Sequence, residues 1–329
     1  MTDTSPSQNN NPALGIFFIV LGMSSISIND TLMKALSSGY PLHQLVFVRS
    51  VIGITISLII VQFEGGFGIL RTDKPFLHLL RGLLVVLSNM TFFAALAVIP
   101  LGDATALFFV APLFITVLSI PILGEKVGTR RLSAVIIGFI GVLVMMQPWD
   151  SEQMSLSNIT IMMLPVAAAF TYALMQILTR RLGVTSKASA MAVYIQGTFI
   201  LVSSMFWFIA GDGQFLKAND HESLQFLLRA WLWPSDEDIP LFLGLGVASS
   251  VVAYSLSQAY RSAPAATIAP FEYVALPLAI LWGWTFWGDI PNMPTFAGIA
   301  FIVGSGIYVF LREGQRHRPV ATRRPIRRW

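Results

Sequence analysis

Three ionisable residues, Asp30, Arg49 and Glu272, stand inside stretches of sequence that are otherwise apolar. A charge surrounded by hydrocarbon is costly, so each needs an opposite charge, a hydrogen-bonding neighbour or a water-filled cavity, and each marks a path for a polar solute by default. Asp30 lies about 8 Å inside its segment and Arg49 about 9 Å inside the next, measured from the same end at the rise of an α-helix. Equal depth on consecutive segments predicts either a structural Asp30–Arg49 pair or a pair that faces a substrate, with Asn29 adding a hydrogen-bonding group beside it. Glu272 lies deeper, about 12 Å in and near the midpoint of its segment. Its helical face carries Ala265, Ala269, Ala275 and Ala279, small residues that leave room for a close helix contact or a cavity. A carboxyl there can exchange a proton or hold a cationic group, which makes Glu272 the coupling candidate, with Tyr273 beside it. Asn89 is a further cavity candidate, eight positions along its segment from Arg81, and Arg81 itself is expected to snorkel to the nearer surface. Asp103 and Arg261 are expected at opposite boundaries. Among the aromatic residues, Phe92, Phe108, Phe109, Tyr172, Tyr254, Phe271 and Tyr273 have the chemistry to stack a flat solute.

Other chemistries lack their parts. There are no cysteines, and the histidines (His43, His78, His221, His317) show no metal-ligand spacing. Neither metal nor cofactor is expected. No phosphate-binding glycine loop of the G-x-x-x-x-G-K-[ST] type occurs, so ATP does not drive this chain directly. No serine has a histidine at matching depth, which removes the usual hydrolase constellation.

The elements that must position these residues are membrane helices. Of 329 residues, 55% are hydrophobic and 12% are charged, about half the charged share of soluble domains. Such a chain cannot cover itself with a polar surface, which excludes a soluble enzyme or a nucleic-acid-binding module. About 20 apolar residues cross a bilayer as a helix. Ten such stretches are predicted, at 13–35, 43–62, 76–98, 102–123, 130–147, 158–180, 188–210, 239–261, 264–287 and 294–312. The polar start of the chain lacks the basic n-region of a signal peptide, so the first span is expected to remain. Lys and Arg concentrate on one side of this arrangement: Arg71, Lys74, Lys126, Arg130, Arg131, Arg180, Arg181, Lys187, Arg261, Arg312 and the arginines of the tail. The other side holds Lys34, Lys217 and Arg229. The positive-inside rule then puts both termini in the cytoplasm. The basic tail is expected to lie against anionic lipid. On the outer side, the acidic connection 211–238 contains an apolar piece, Leu224 to Trp233, too short to span. It is expected to form a short interfacial helix anchored by Trp231 and Trp233, or, on a sharper reading, a lid over a substrate.

Shifted by 164 positions, the chain pairs Pro100 with Pro264, Val110-Ala111 with Val274-Ala275, Gly124 with Gly288, and Glu125 with Asp289. Small-residue helices follow both blocks (Gly138 and Gly141; Gly298, Gly304 and Gly306). A weaker match pairs Leu32, Met33 and Leu36 with Leu174, Met175 and Leu178. Five helices per repeat is an odd number, so the second copy must enter the membrane inverted, and in such folds the solute site lies near the midplane between the repeats. The expected organisation is a cytoplasmic N-terminus (1–12), repeat one (13–148), repeat two (149–312) and a basic cytoplasmic tail (313–329). The expected fold is all-α, with ten transmembrane helices in two inverted five-helix repeats.

Asn29-Asp30 with Lys34, then Phe47-Val-Arg49, Gly124-Glu125 and Pro270-Phe-Glu-Tyr273, together resemble the drug/metabolite transporter superfamily of the EamA type. The likeness is to the branch with S-adenosylmethionine uptake carriers and riboflavin importers, and Gly288-Asp289 departs from the usual Gly-Glu. The resemblance covers essentially the whole chain. It implies a multi-pass protein of the bacterial inner membrane, acting as a secondary transporter by alternating access rather than as an enzyme. Spans one to four and six to nine would line its central cavity. Asn29, Asp30, Arg49, Asn89, Glu272 and Tyr273 are the expected substrate-binding residues. Riboflavin or S-adenosylmethionine is the candidate cargo; export of amino acids or other metabolites, and a passive channel, are the alternatives. A small-molecule substrate and membrane lipids are the expected partners, nucleic acid is not, and a homodimer is left open.

Overall fold

The computed structural model describes residues 12–123, 129–147, 149, 156–182, 187–217, 222–262 and 269–316. Its elements in chain order are α1 (Pro12–Leu36), α2 (Leu42–Glu64), α3 (Pro75–Leu96), α4 (Leu101–Phe108), α5 (Ala111–Leu123) and α6 (Thr129–Met146). They continue with α7 (Leu156–Leu182), α8 (Ala188–Ala210), α9 (Glu222–Leu228), α10 (Ile239–Ser262), α11 (Ala275–Trp287) and α12 (Met293–Arg316). Two 3-10 turns, Phe67–Leu70 and Ala269–Val274, complete the set. The Gly124-Glu125 turn, Pro264, Ala265 and the tail beyond Arg316 lie outside the described residues.

Among the described residues six helices are long and apolar enough to cross a bilayer, within α1, α2, α3, α7, α8 and α10, and shorter apolar helices accompany them. Large apolar side chains stand on the outside of the bundle, among them Phe17, Phe63, Phe208, Trp284 and Phe286. With no polar surface to replace them, these faces belong against lipid, and the protein is an all-α membrane protein.

Proline explains why the predicted fourth and ninth spans are not continuous helices. In the fourth, α4 ends at Phe108, a turn at Phe109–Val110 follows, and α5 restarts at Ala111. Pro112, in the first turn of α5, has no N–H to give and its ring would clash with the carbonyl four residues back, so a through-running helix breaks there. The ninth carries the 3-10 turn Ala269–Val274, with α11 restarting at Ala275 and Pro277 in its first turn. Both restarted helices, α5 and α11, are 13 residues long. Gly288 closes α11 in the left-handed conformation (φ 71°), while its own N–H and that of Asp289 bond back to Trp284 and Gly283. This is the αL helix stop that glycine accepts without strain.

The packing partners form a pattern. Helix α1 packs on α10 and α7 on α3; α2 packs on α8, α6 on α12 and α4 on α11; α5 rests on α7 as α11 rests on α1. The α6–α12 crossing is close because it is built on glycine. A Cβ on Gly298 would meet the carbonyl oxygen of Gly141 at 2.6 Å, and one on Gly141 would meet that of Gly298 at 2.8 Å. Two apolar clusters fill the bundle. One gathers around Ile19, Phe109, Val110 and Ile302, the other around Leu45, Leu101, Phe226 and Leu245.

The connection between α8 and α10 lies across one end of the bundle as a strap. Helix α9 ends at Leu228, earlier than the expected interfacial helix, and residues 229–235 beyond it form no regular element. The strap is fastened from below. Gln44 donates to the Leu232 carbonyl at 2.5 Å and accepts from its N–H at 3.1 Å. Tyr40 donates to Asp238 at 2.7 Å and accepts from the Ser235 N–H at 2.9 Å. Ser223 donates to Ala94 O at 2.6 Å, and Arg229 donates to Ser38 O. Trp233 is exposed, as an interfacial anchor should be, but Trp231 is not. It is tucked against His43, Phe47 and Trp207, because a lone indole under the strap packs better on rings than in water.

Candidate substrate path

Helices α1, α2 and α3 bring four of the expected residues together. Arg49 is buried, with 3% of its surface exposed. One terminal nitrogen donates to Asn29 Oδ1 at 3.2 Å and the other to Asn89 Oδ1 at 2.7 Å. Asn29 Nδ2 passes the chain on to Asp30 Oδ1 at 3.0 Å. The guanidinium lies over the rings of Phe93 and Phe199, 5.4 and 5.1 Å from their centroids, so the cation is held by ring faces as well as by amides. The expected direct Asp30–Arg49 pair is therefore a relay: the two charges attract each other, with the Asn29 amide bonded to both. A single planar fork reaches amides on two neighbouring helices, which a lysine ammonium at this place does not do. Arg49 Nε is buried and has no hydrogen-bond partner among the described residues.

Glu272 is buried at 6% exposure, on the 3-10 turn rather than on a regular α-helix. The alanine face expected around it survives in part: Ala275 and Ala279 are both 2% exposed. Its electrostatic neighbours are Tyr172 of α7 and Tyr273. Tyr172 accepts a hydrogen bond from Gln176 at 2.6 Å and meets the Phe108 ring at 5.3 Å. Tyr273 turns away from the polar groups. Its ring meets Phe109 at 5.2 Å and its hydroxyl lies against Gly306, docking the 3-10 turn onto α12. Glu272 and Tyr273 stand on the 3-10 turn before α11, whereas the Arg49 cluster is built on α1, α2 and α3.

Arg81 does not snorkel. It is 4% exposed, and its Nε donates to Thr179 Oγ1 of α7 at 2.8 Å, with Tyr172 close enough to interact electrostatically. Helix α3 packs between α7 and α8, so the side chain has helix on both sides and no route to the surface. Arg81 and Asn89 lie about 12 Å apart along α3. Tyr172, Gln176 and Thr179 form one stripe on α7, at the i, i+4, i+7 spacing that faces a single neighbour. That spacing was readable in the sequence; what it faced was not.

Tyr254 and Glu64 close the end of the bundle opposite the strap. Glu64 accepts from Ser189 at 2.7 Å and from Tyr254 at 3.0 Å, tying α2 to α8 and α10. Among the described residues no cluster could hold a metal ion.

The chain is similar to known membrane transporters. Residues 13–147 match the EamA-like transporter family. The S-adenosylmethionine uptake transporter of Rickettsia prowazekii is 26% identical over 91% of this chain and 93% of its own. The riboflavin transporter of Vibrio cholerae is 29% identical over 92% of this chain and 94% of its own. The pseudopaline exporter of Pseudomonas aeruginosa is 27% identical over 88% and 93%. A solved crystal structure, 17% identical, superposes with a TM-score of 0.64 over 95% of this chain and all of its own, which establishes a shared fold.

Proposed function

The chain belongs to the drug/metabolite transporter superfamily, EamA type, and from that premise we propose that it carries a small organic metabolite across the bacterial inner membrane by alternating access, without ATP. The observation that carries this reading is the buried relay Asp30–Asn29–Arg49–Asn89, a charged network spanning three helices inside an apolar bundle. Such a network is costly unless a polar solute uses it. Asn29, Asp30, Arg49 and Asn89 form one station for the cargo. Glu272 forms the coupling station, and Tyr273 positions the turn that carries it.

Ten spans in two inverted halves, 13–148 and 149–312, make up the carrier, with both termini in the cytoplasm. Three features support this. Each helix of the first half packs on a partner that a two-fold exchange of the halves predicts. The breaks before α5 and α11 fall at equivalent places, as expected of discontinuous helices around a midplane site. Lysines and arginines collect on the side of the termini. The strap then lies on the outer face.

Riboflavin and S-adenosylmethionine are the candidate cargoes, on the strength of the relatives that carry them. Uptake of each labelled compound into cells that depend on it tests the reading. Saturable uptake of one, abolished in Arg49→Met at equal protein abundance, is the expected result. Flux that never saturates, with no counterflow, would identify a channel instead.

A further inference from the structure

Beneath the strap, α2, α3 and α8 enclose a small hollow lined by His43, Val86, Asn89, Phe199, Ser203 and Phe206, among others. Its walls are apolar and aromatic, and His43 is its least expected member. The imidazole is 3% exposed, with its Nδ1 3.1 Å from the carbonyl oxygen of Leu227 in the strap. A carbonyl only accepts, so Nδ1 carries the proton and Nε2 is left with a lone pair. Nε2 is buried and has no hydrogen-bond partner among the described residues. A buried acceptor with nothing to accept is destabilising and calls for a donor, from water or from a ligand. Ser203 lines the same hollow, as do Phe199, whose ring meets the Arg49 guanidinium, and Phe206, whose ring packs on His43. Arg49 lies within two turns of His43 on α2, its guanidinium against Phe199, and disfavours an ammonium in the same place. The donor that fits is neutral.

We propose that this hollow is an outer binding station for the edge of a planar heteroaromatic ring bearing a neutral N–H, an imide or an amino group, which His43 Nε2 recognises while the strap closes over it. The strap fixes the acceptor: its Leu227 carbonyl selects the tautomer, so recognition and closure are one event. The proposal rests on the transport reading and narrows its cargo to molecules with such a ring.

The test is binding to the purified full chain in lipid nanodiscs. The probes are riboflavin and 3-methylriboflavin, then adenosine and N6,N6-dimethyladenosine, with flavin fluorescence as direct readout and competition for the nucleosides. An unpaired buried acceptor costs about 1–3 kcal/mol, so methylation weakens binding about 5–150-fold in at least one pair. In His43→Phe, which keeps ring and bulk, the ratio within that pair falls to about one. Because each variant is scored by its own ratio, a general loss of affinity does not mimic the result. Equal binding of methylated and unmethylated probes by the wild type overturns the site, as does discrimination that survives in His43→Phe, or no binding of either unmethylated probe. Saturable uptake in cells alongside methyl-blind binding removes this station and leaves the transport reading standing. Absence of saturable uptake of any cargo removes the transport reading itself.

Discussion

Replacing Arg49 tests the relay most directly. Arg49→Met deprives Asn29 Oδ1 and Asn89 Oδ1 of a charged donor and leaves the buried Asp30 without its cation. Hydrogen bonds to charged groups contribute about 1.5–3 kcal/mol each. Removing one member of a buried charge pair costs about 3–5 kcal/mol. The two figures describe the same loss from two sides and are not added. At about 2–4 °C per kcal/mol for a chain of this size, the melting temperature in detergent should fall by about 6–20 °C. Arg49→Lys keeps the charge but reaches one amide, so it should fall by roughly half as much, losing about 1.5–3 kcal/mol. The informative variant is the double one. Asp30→Asn on the Arg49→Met background removes the stranded carboxylate and should recover at least about 1.5 kcal/mol. Unfolding is followed by intrinsic tryptophan fluorescence at pH 7.5. If Arg49→Met and the double variant melt together, Asp30 and Arg49 are not energetically coupled and the relay is a coincidence of geometry.

Glu272→Gln should abolish concentrative uptake driven by a proton gradient while leaving counterflow exchange and protein abundance intact; normal accumulation in vesicles would remove Glu272 from coupling. Tyr40→Phe deletes both bonds made by that hydroxyl, about 0.5–1.5 kcal/mol each, so strap amides from Ser235 to Asp238 should exchange hydrogen about 5–150-fold faster. The Asp238 carboxyl is held below its ordinary value by hydrogen bonds from Tyr40 and Ser235. Its contribution is therefore complete above about pH 4 and is lost as pH falls through the lowered value; strap exchange, corrected for intrinsic rates, should be flat from pH 8 to about 4 and accelerate below, and Asp238→Asn should abolish that dependence. Gly298→Ala places a methyl group against the Gly141 carbonyl and should destabilise the protein by about 1–3 kcal/mol, read as a lower melting temperature with transport specificity unchanged.

Helix positions were legible because the length criterion for a membrane helix is severe. The stretches predicted at 43–62 and 188–210 are α2 (Leu42–Glu64) and α8 (Ala188–Ala210). The expected closeness of Asp30 and Arg49, with Asn29 beside them, rested on depth, whereas Asn89 was expected in the cavity from its spacing to Arg81 and its bond to Arg49 was not foreseen. What depth does not convey is orientation about the helix axis. It suggested that Asp30 and Arg49 touch, where Asn29 in fact mediates; it suggested that Arg81 escapes to the surface, where α7 blocks the way. Proline spacing signalled bending in the fourth and ninth spans, but Pro121 sits inside α5 without a break while Pro112 begins a new helix. Only the neighbouring helices decide which proline breaks a span. The strap was the least legible part. Its bonds join residues about 190 positions apart, such as Gln44 with Leu232, and no local pattern encodes such partners.

The strap also sets a condition on the transport cycle. Its fastenings at His43, Gln44 and Ser223 are neutral hydrogen bonds, each worth about 0.5–1.5 kcal/mol net, and Tyr40 adds a bond to the Asp238 carboxyl. At the opposite end, the Glu64 carboxyl holds α2 to α8 and α10 through bonds from Ser189 and Tyr254. The two ends grip the same helix, α2, which carries His43 near the strap, Arg49 inside the bundle and Glu64 at the far end. A rigid α2 links the two grips, so in the proposed alternating-access cycle one end would loosen while the other holds. A cargo shifts that equilibrium only by binding one state more tightly than the other. Contacts shared by both states therefore contribute affinity without coupling. In the proposed station the strap's Leu227 carbonyl sets the His43 tautomer, so a ligand that needs that tautomer would pull on the conformational equilibrium itself.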